Sequence, residues 1–190
     1  MIKIPTQHYY IKDKLETHNE IKEQILSLID KSPNKSLVHK DNYYTHNITK
    51  TDWWDHENFK TREWAKFFMP HLFKKLEVFI NDIGFVGLHM KALWFQQYEI
   101  NSTHDWHTHG ENYSGVYYLE LPENTPKTKF WTGNQFMTPD VSEGDICIFP
   151  AMSPHKAPPV MSDGRKTIIS YNFNFTELNY DALQRMKYYD

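Results

Sequence analysis

From Tyr10 to Asp30 the apolar residues Ile11, Leu15, Ile21, Ile25, Leu28 and Ile29 recur mostly at helical spacing, and Lys31-Ser32-Pro33-Asn34 supplies a stop. The pattern predicts an amphipathic helix. A polar, aromatic-bearing segment follows over 38–58, and then Phe68, Leu72, Leu76, Phe79, Ile80 and Ile83 form a second helical stripe within residues 60–83. Pro70 should kink that helix or begin a new one. After Gly84 the pattern turns strand-like. Lys91–Ile100, Ser114–Leu121, Lys127–Trp131, Ile146–Pro150 and Lys166–Phe175 are short, rich in aromatic and β-branched residues, and separated by turn signals such as Thr132-Gly133-Asn134 and Ser142-Glu143-Gly144-Asp145. Leu178–Tyr189 is the expected terminal helix. Short strands at this spacing favour an antiparallel barrel or jelly roll over a parallel α/β sheet. The expectation is one domain over 1–190, mainly β with N-terminal helices. It comprises a helical support region at 1–88, a β core at 89–176 and a C-terminal segment at 177–190.

Composition narrows the function classes. The 190 residues suffice for one full core, and 6 Trp, 12 Tyr and 12 Phe are too many for a disordered chain despite a mean hydropathy of -0.71. A formal net charge of -3 gives no excess of positive charge for a nucleic acid or an anionic membrane. The lone Cys147 excludes an intrachain disulfide, no apolar run approaches the roughly 20 residues of a membrane span, and the first residues lack a signal-peptide layout. A cytoplasmic location is therefore expected, the host cytoplasm for a phage-encoded chain. Cys147, flanked by Ile146 and Ile148, reads as a small buried hydrophobe. Trp94, Trp106 and Trp131 are either packing or a cleft wall, and Trp53-Trp54 is either a lid or a staple for the N-terminal helices.

The densest chemistry is Asp105-Trp106-His107-Thr108-His109-Gly110-Glu111, between two predicted strands. Alternate residues of an extended segment face one side, so His107 and His109 can present imidazoles to one metal ion. An exposed loop can also carry such a pair for no chemical reason. Further on, Gly144–Pro150 leads into Ser153-Pro154-His155, and Arg165-Lys166-Thr167 opens the last predicted strand.

Taken together, HTHGENYSGVYYLELP, EGDICIFPAMSPH and GRKTIISYNFNF, in that order, resemble the iron(II)- and 2-oxoglutarate-dependent oxygenases. The nearest likeness is to small bacterial and phage members related to prolyl hydroxylases, and it spans about residues 91–175. It implies a double-stranded β-helix of jelly-roll or cupin type. It also implies Fe(II) held by His107, His109 and His155, with 2-oxoglutarate as cosubstrate and O2 as oxidant. The cosubstrate's distal carboxylate would be met by Arg165 with Thr167, and Tyr98 and Tyr118 would stand against its carboxylates; either tyrosine could equally be core. The family commonly has an acid where His109 stands. A competing register therefore uses His109 and Glu111, while His104 is expected to be a surface or supporting residue. The implied reaction hydroxylates a substrate C–H bond while 2-oxoglutarate is decarboxylated to succinate, with a peptidyl or amino-acid substrate favoured. A cupin-type metal enzyme without 2-oxoglutarate and a non-catalytic metal-binding β-barrel module are the alternatives.

Overall fold

Alternation along the chain builds two facing sheets. The computed structural model describes residues 10–41, 45–181 and 184. Its elements run β1 (Ile11–Lys14), α1 (His18–Asp30), β2 (Leu37–Lys40), β3 (Thr45–Ile48), β4 (Lys50–Thr51), a 3-10 segment (Trp53–Thr61) and α2 (Glu63–Asp82). Then come β5 (Phe85–Tyr98), β6 (Thr103–His107), β7 (Tyr113–Glu120), β8 (Lys129–Trp131), β9 (Phe136–Met137), β10 (Asp145–Pro150), β11 (His155–Ala157) and β12 (Lys166–Leu178). The larger sheet has the order β1-β10-β7-β12-β5-β4 and the smaller β2-β3-β6-β11-β8-β9. All their pairings are antiparallel. This two-sheet arrangement agrees with the expected double-stranded β-helix.

The larger sheet has two different faces. Leu93 and Phe95 on β5, Tyr117 and Leu119 on β7, Ile146 and Ile148 on β10, and Ile169, Tyr171 and Phe173 on β12 pack with Ile21, Ile25, Ile29, Phe68, Leu72 and Leu76 of the helices. The intervening residues, Tyr98, Val116, Tyr118, Cys147, Phe149 and Ile168, pack between the sheets with Phe130, Val141, Ala157 and Val160. A period of two thus sends one set to the helices and the other to the inter-sheet space. Gly115 is required where the Tyr171 ring crosses β7, since a Cβ there would lie 2.1 Å from Tyr171 Cζ. Gly115→Ala is expected to lower stability by about 1–3 kcal/mol in chemical denaturation, through the overpacking it forces.

Several expectations need correction. The predicted helix over 10–30 is divided: Ile11–Lys14 pairs with β10 in the register Ile11↔Ile148, and the helix begins at His18. Cross-strand bonding at the sheet edge overrides a helical period that Ile11 and Leu15 happen to fit. Lys50 Nζ closes α1 by donating to Ile29 O at 2.9 Å and Asp30 O at 3.2 Å. α2 runs through Pro70 as one helix, with the proline on its exposed side, where water can bond the carbonyl that loses its partner. The helical support region also supplies four strands, β1–β4, and the polar segment at 38–58 includes parts of a hairpin and the 3-10 segment. Most of the expected helix over 178–189 lies outside the described residues, and Leu178 closes β12. No helix among the described residues is long and apolar enough to cross a membrane.

Candidate metal centre

Strand pairing sets the site. His155 begins β11 directly opposite His107 at the end of β6, and His109 follows with its backbone N–H bonded to Ala151 O at 2.9 Å. The three imidazoles converge, with ring centroids 4.2 Å apart for His107–His155, 5.1 Å for His107–His109 and 5.2 Å for His109–His155. One ring nitrogen from each lies within 4.8 Å of the others. Glu111 is not part of this group, so the two-His and one-acid register is not the one assembled here.

The ring orientations suit metal ligation. His107 Nδ1 donates to Asp105 O at 2.6 Å and His155 Nδ1 donates to Ser153 O at 2.9 Å. Each bond places the proton on Nδ1 and leaves the Nε2 lone pair for a ligand role. Burial pushes His107 down to about 4 and, with the neighbouring His107 charge adding to it, His109 down to about 3. Burial holds His155 well below the ordinary imidazole range as well. All three are neutral at physiological pH, the state a metal requires. Phe149 and Phe130 pack on His155, at 4.7 and 5.9 Å between centroids, and limit water on that side. An uncharged, nitrogen-only set of this kind suits Fe, Zn, Cu or Ni.

Arg165 and Thr167 share a face, as expected, but it is not the metal-facing one. Arg165 is bidentate to Glu120, with Nε to Oε2 at 2.9 Å and Nη2 to Oε1 at 3.0 Å, and its Nη1 reaches Asp30 Oδ1 at 3.0 Å. Thr167 donates to the same Glu120 carboxylate. The chamber beside the histidines is instead lined on β12 by Ile168, Ser170 and Asn172. By the same alternation Lys166 turns inward, and it is fully buried. Its Nζ sits 5.2 Å from the Tyr98 ring centre and, among the described residues, has one acceptor, Pro126 O at 2.7 Å. Burial pushes its pKa down to about 7. A buried ammonium with one neutral acceptor and no carboxylate is costly unless an anion joins it. Arg165→Ala is accordingly expected to cost roughly 1 kcal/mol of stability from the lost, partly exposed ion pairs, as calorimetry would measure.

Tyr98 and Tyr118 both point into the inter-sheet space and are fully buried. Tyr118 Oη donates to Thr128 Oγ1 at 2.8 Å, whereas Tyr98 Oη has no partner among the described residues. Burial raises both phenols, so each remains a neutral O–H donor. Sequence reasoning missed Lys166, whose inward set with Ser170 and Asn172 is a polar alternation visible in the sequence. It also assigned no role to Gln96, and it left His104 a surface or supporting residue. In keeping with a supporting role, His104 stacks on His107 at 3.9 Å and 10°.

Comparison with solved structures places this architecture. An oxidoreductase of the 2OG-Fe(II) oxygenase family from Burkholderia pseudomallei superposes with a TM-score of 0.71 at 12% identity, over 89% of this chain and 86% of that one. The viral collagen prolyl hydroxylase of Paramecium bursaria Chlorella virus-1 gives 0.59 at 16% identity, over 89% and 97%. A Pseudomonas putida prolyl-4-hydroxylase gives 0.61 at 11%, over 88% and 93%. The chain therefore has the double-stranded β-helix fold of the 2OG-Fe(II) oxygenases. No protein-family model and no curated protein sequence matches it.

Proposed function

We propose that the chain is a 2-oxoglutarate-dependent Fe(II) oxygenase that hydroxylates a C–H bond of an organic substrate. The observation that carries this is the pairing, between the same two sheets, of a neutral three-histidine cluster with a buried lysine that lacks a carboxylate. His107, His109 and His155 would hold the iron, and Lys166 would bind the cosubstrate's distal carboxylate, with the unpartnered Tyr98 Oη as a second donor. Iron with 2-oxoglutarate and O2 supplies an oxidant strong enough for C–H hydroxylation, as succinate and carbon dioxide are released.

The protein's own contribution is geometry and electrostatics. The Asp105 and Ser153 carbonyls fix two imidazole planes, Phe130 and Phe149 limit water, and Lys166 offers a positive charge at the far end. The chamber's free space is about 20 Å³, room for roughly one water, so a five-carbon dicarboxylate enters only as surrounding side chains move aside. That tightness, with His109 in place of an acid, favours a second reading, a three-histidine metal enzyme that does not use 2-oxoglutarate. Succinate formation decides between them. The oxygenase should convert 2-oxoglutarate to succinate when Fe(II) and O2 are supplied, slowly even without primary substrate. Iron-loaded protein that neither binds nor consumes 2-oxoglutarate would install the second reading.

A further inference from the structure

Along β5 the edge of the larger sheet is closed except at one place. β4 pairs with Gln96 and Gln97, the Asp52 carboxylate accepts from Phe95 N at 2.9 Å, and the Arg62 guanidinium donates to Leu93 O. Nearer the start of the strand, Leu88–Lys91 has β12 on one side and no backbone partner on the other among the described residues. An unpaired strand edge offers amide donors and carbonyl acceptors to another extended chain.

That stretch walls a groove of about 590 Å³, with the end of the 3-10 segment opposite and Met69 and Phe73 of α2 between them. A second cavity of about 420 Å³ continues it over Met69, Pro70 and Phe73. Phe59 and Met90 add buried apolar surface. No residue of either cavity lines the histidine chamber.

The rim is basic although the whole chain carries a net charge of -3. Lys60, Lys66 and Lys91 line the two cavities against a single carboxylate, Glu57. Glu63 holds Lys66 at 2.8 Å, and Glu57 approaches His56 at 3.9 Å. Lys60 and Lys91 are exposed and have no ion pair among the described residues. β5 carries one extra residue at Lys91, a bulge that lets both Met90 and Lys91 line the groove.

We propose that this groove docks an extended, acidic segment of a polypeptide partner, which adds to β5 as a strand beside Leu88–Lys91. Alternate side chains of such a strand face opposite ways, so apolar residues meet Met69 and Phe73 while carboxylates meet Lys60 and Lys91. A nucleic acid would meet the lysines but could not pair with the backbone edge. A second copy of this chain would offer the same basic rim. The docking is independent of the oxygenase reading, because the groove and the histidine chamber share no residue.

The probe is an N-acetylated, C-amidated hexapeptide alternating aspartate and valine, titrated into the full chain and followed by backbone amide NMR shifts. It should bind saturably, with the largest shifts at Leu88–Lys91. A lysine-for-aspartate counterpart should bind about tenfold or more weakly, and so should a version N-methylated at alternate amides, which loses at least two hydrogen bonds. Lys60→Glu combined with Lys91→Glu should weaken the acidic peptide roughly tenfold, because two attractions become repulsions. The methylated probe leaves the protein unaltered and so separates docking from any effect on folding. No saturable binding at millimolar peptide, equal affinity for the lysine or methylated probe, affinity unchanged in the double variant, or tighter binding of oligothymidylate at the same residues would overturn the proposal. So would self-association of the chain that protects the Leu88–Lys91 amides without peptide.

Discussion

Replacing His155 by alanine is expected to abolish Fe(II) binding at micromolar metal while leaving the protein folded. His155 lies opposite His107 in the β6–β11 pairing and would supply one of the three ring nitrogens that converge among the described residues. Disturbing an outer partner of a metal ligand commonly weakens metal affinity 10–100-fold, so removing a ligand should exceed about 100-fold. Isothermal titration of anaerobic protein with Fe(II) measures this directly. Glu111→Ala should leave the affinity unchanged, since Glu111 is outside the cluster. His109→Asp should retain iron, because it installs the two-histidine, one-carboxylate set that also suits Fe(II). Iron lost in Glu111→Ala and kept in His107→Ala would instead show that the metal uses the other register.

Lys166→Met should remove 2-oxoglutarate binding and yet leave the fold at least as stable. Two charge-assisted hydrogen bonds to a carboxylate are worth about 2–3 kcal/mol, so affinity should fall roughly 30- to 150-fold. The same substitution deletes a buried, poorly partnered ammonium, and an apolar side chain of similar length in that place is neutral or stabilising. This combination separates a ligand-binding lysine from a structural one, whose loss would lower the melting temperature. The pH dependence follows from the pKa near 7 in the free protein. A carboxylate ligand binds the ammonium form and raises its pKa, so binding takes up a proton. Affinity should be flat below about pH 7 and decline toward about tenfold per pH unit above it, until the bound-state pKa is passed. The dependence should vanish in Lys166→Met.

Those two residues also show how far the sequence could be read. His107, His109 and His155 could be named because local spacing marks two of them and the Phe-Pro…His segment marks the third. Arg165 is named as the cosubstrate anchor only through the resemblance, by its Arg-x-Thr element ahead of the last strand. Strand parity instead puts Arg165 and Thr167 on the side of Ile169, Tyr171 and Phe173, which face the helices, and Lys166, Ile168, Ser170 and Asn172 in the opposite set. The alternation was present in KTIISYNFNF, but which face met the metal depended on pairing with β5 and β7. The small sheet was largely illegible for another reason. β2, β3 and β11 have four residues or fewer and carry polar side chains such as His39, His46 and Lys156, and β9 is only Phe136–Met137, so their strand character arises from their pairing partners. The stacking of His104 on His107 depends on the same pairing, where the β6–β11 register shifts between His155 and Ala157.

On the proposed function, the three-histidine cluster and the inward-facing Lys166 form one site for iron and 2-oxoglutarate. Visible absorption under anaerobic conditions tests it most directly, because a 2-oxo acid chelated to Fe(II) gives a weak charge-transfer band that neither component shows alone. Adding Fe(II) and 2-oxoglutarate to the folded protein should produce the band, and Arg165→Ala should retain it at the same cosubstrate concentration while Lys166→Met requires far more. A folded, iron-loaded protein with no band at saturating 2-oxoglutarate would contradict the account.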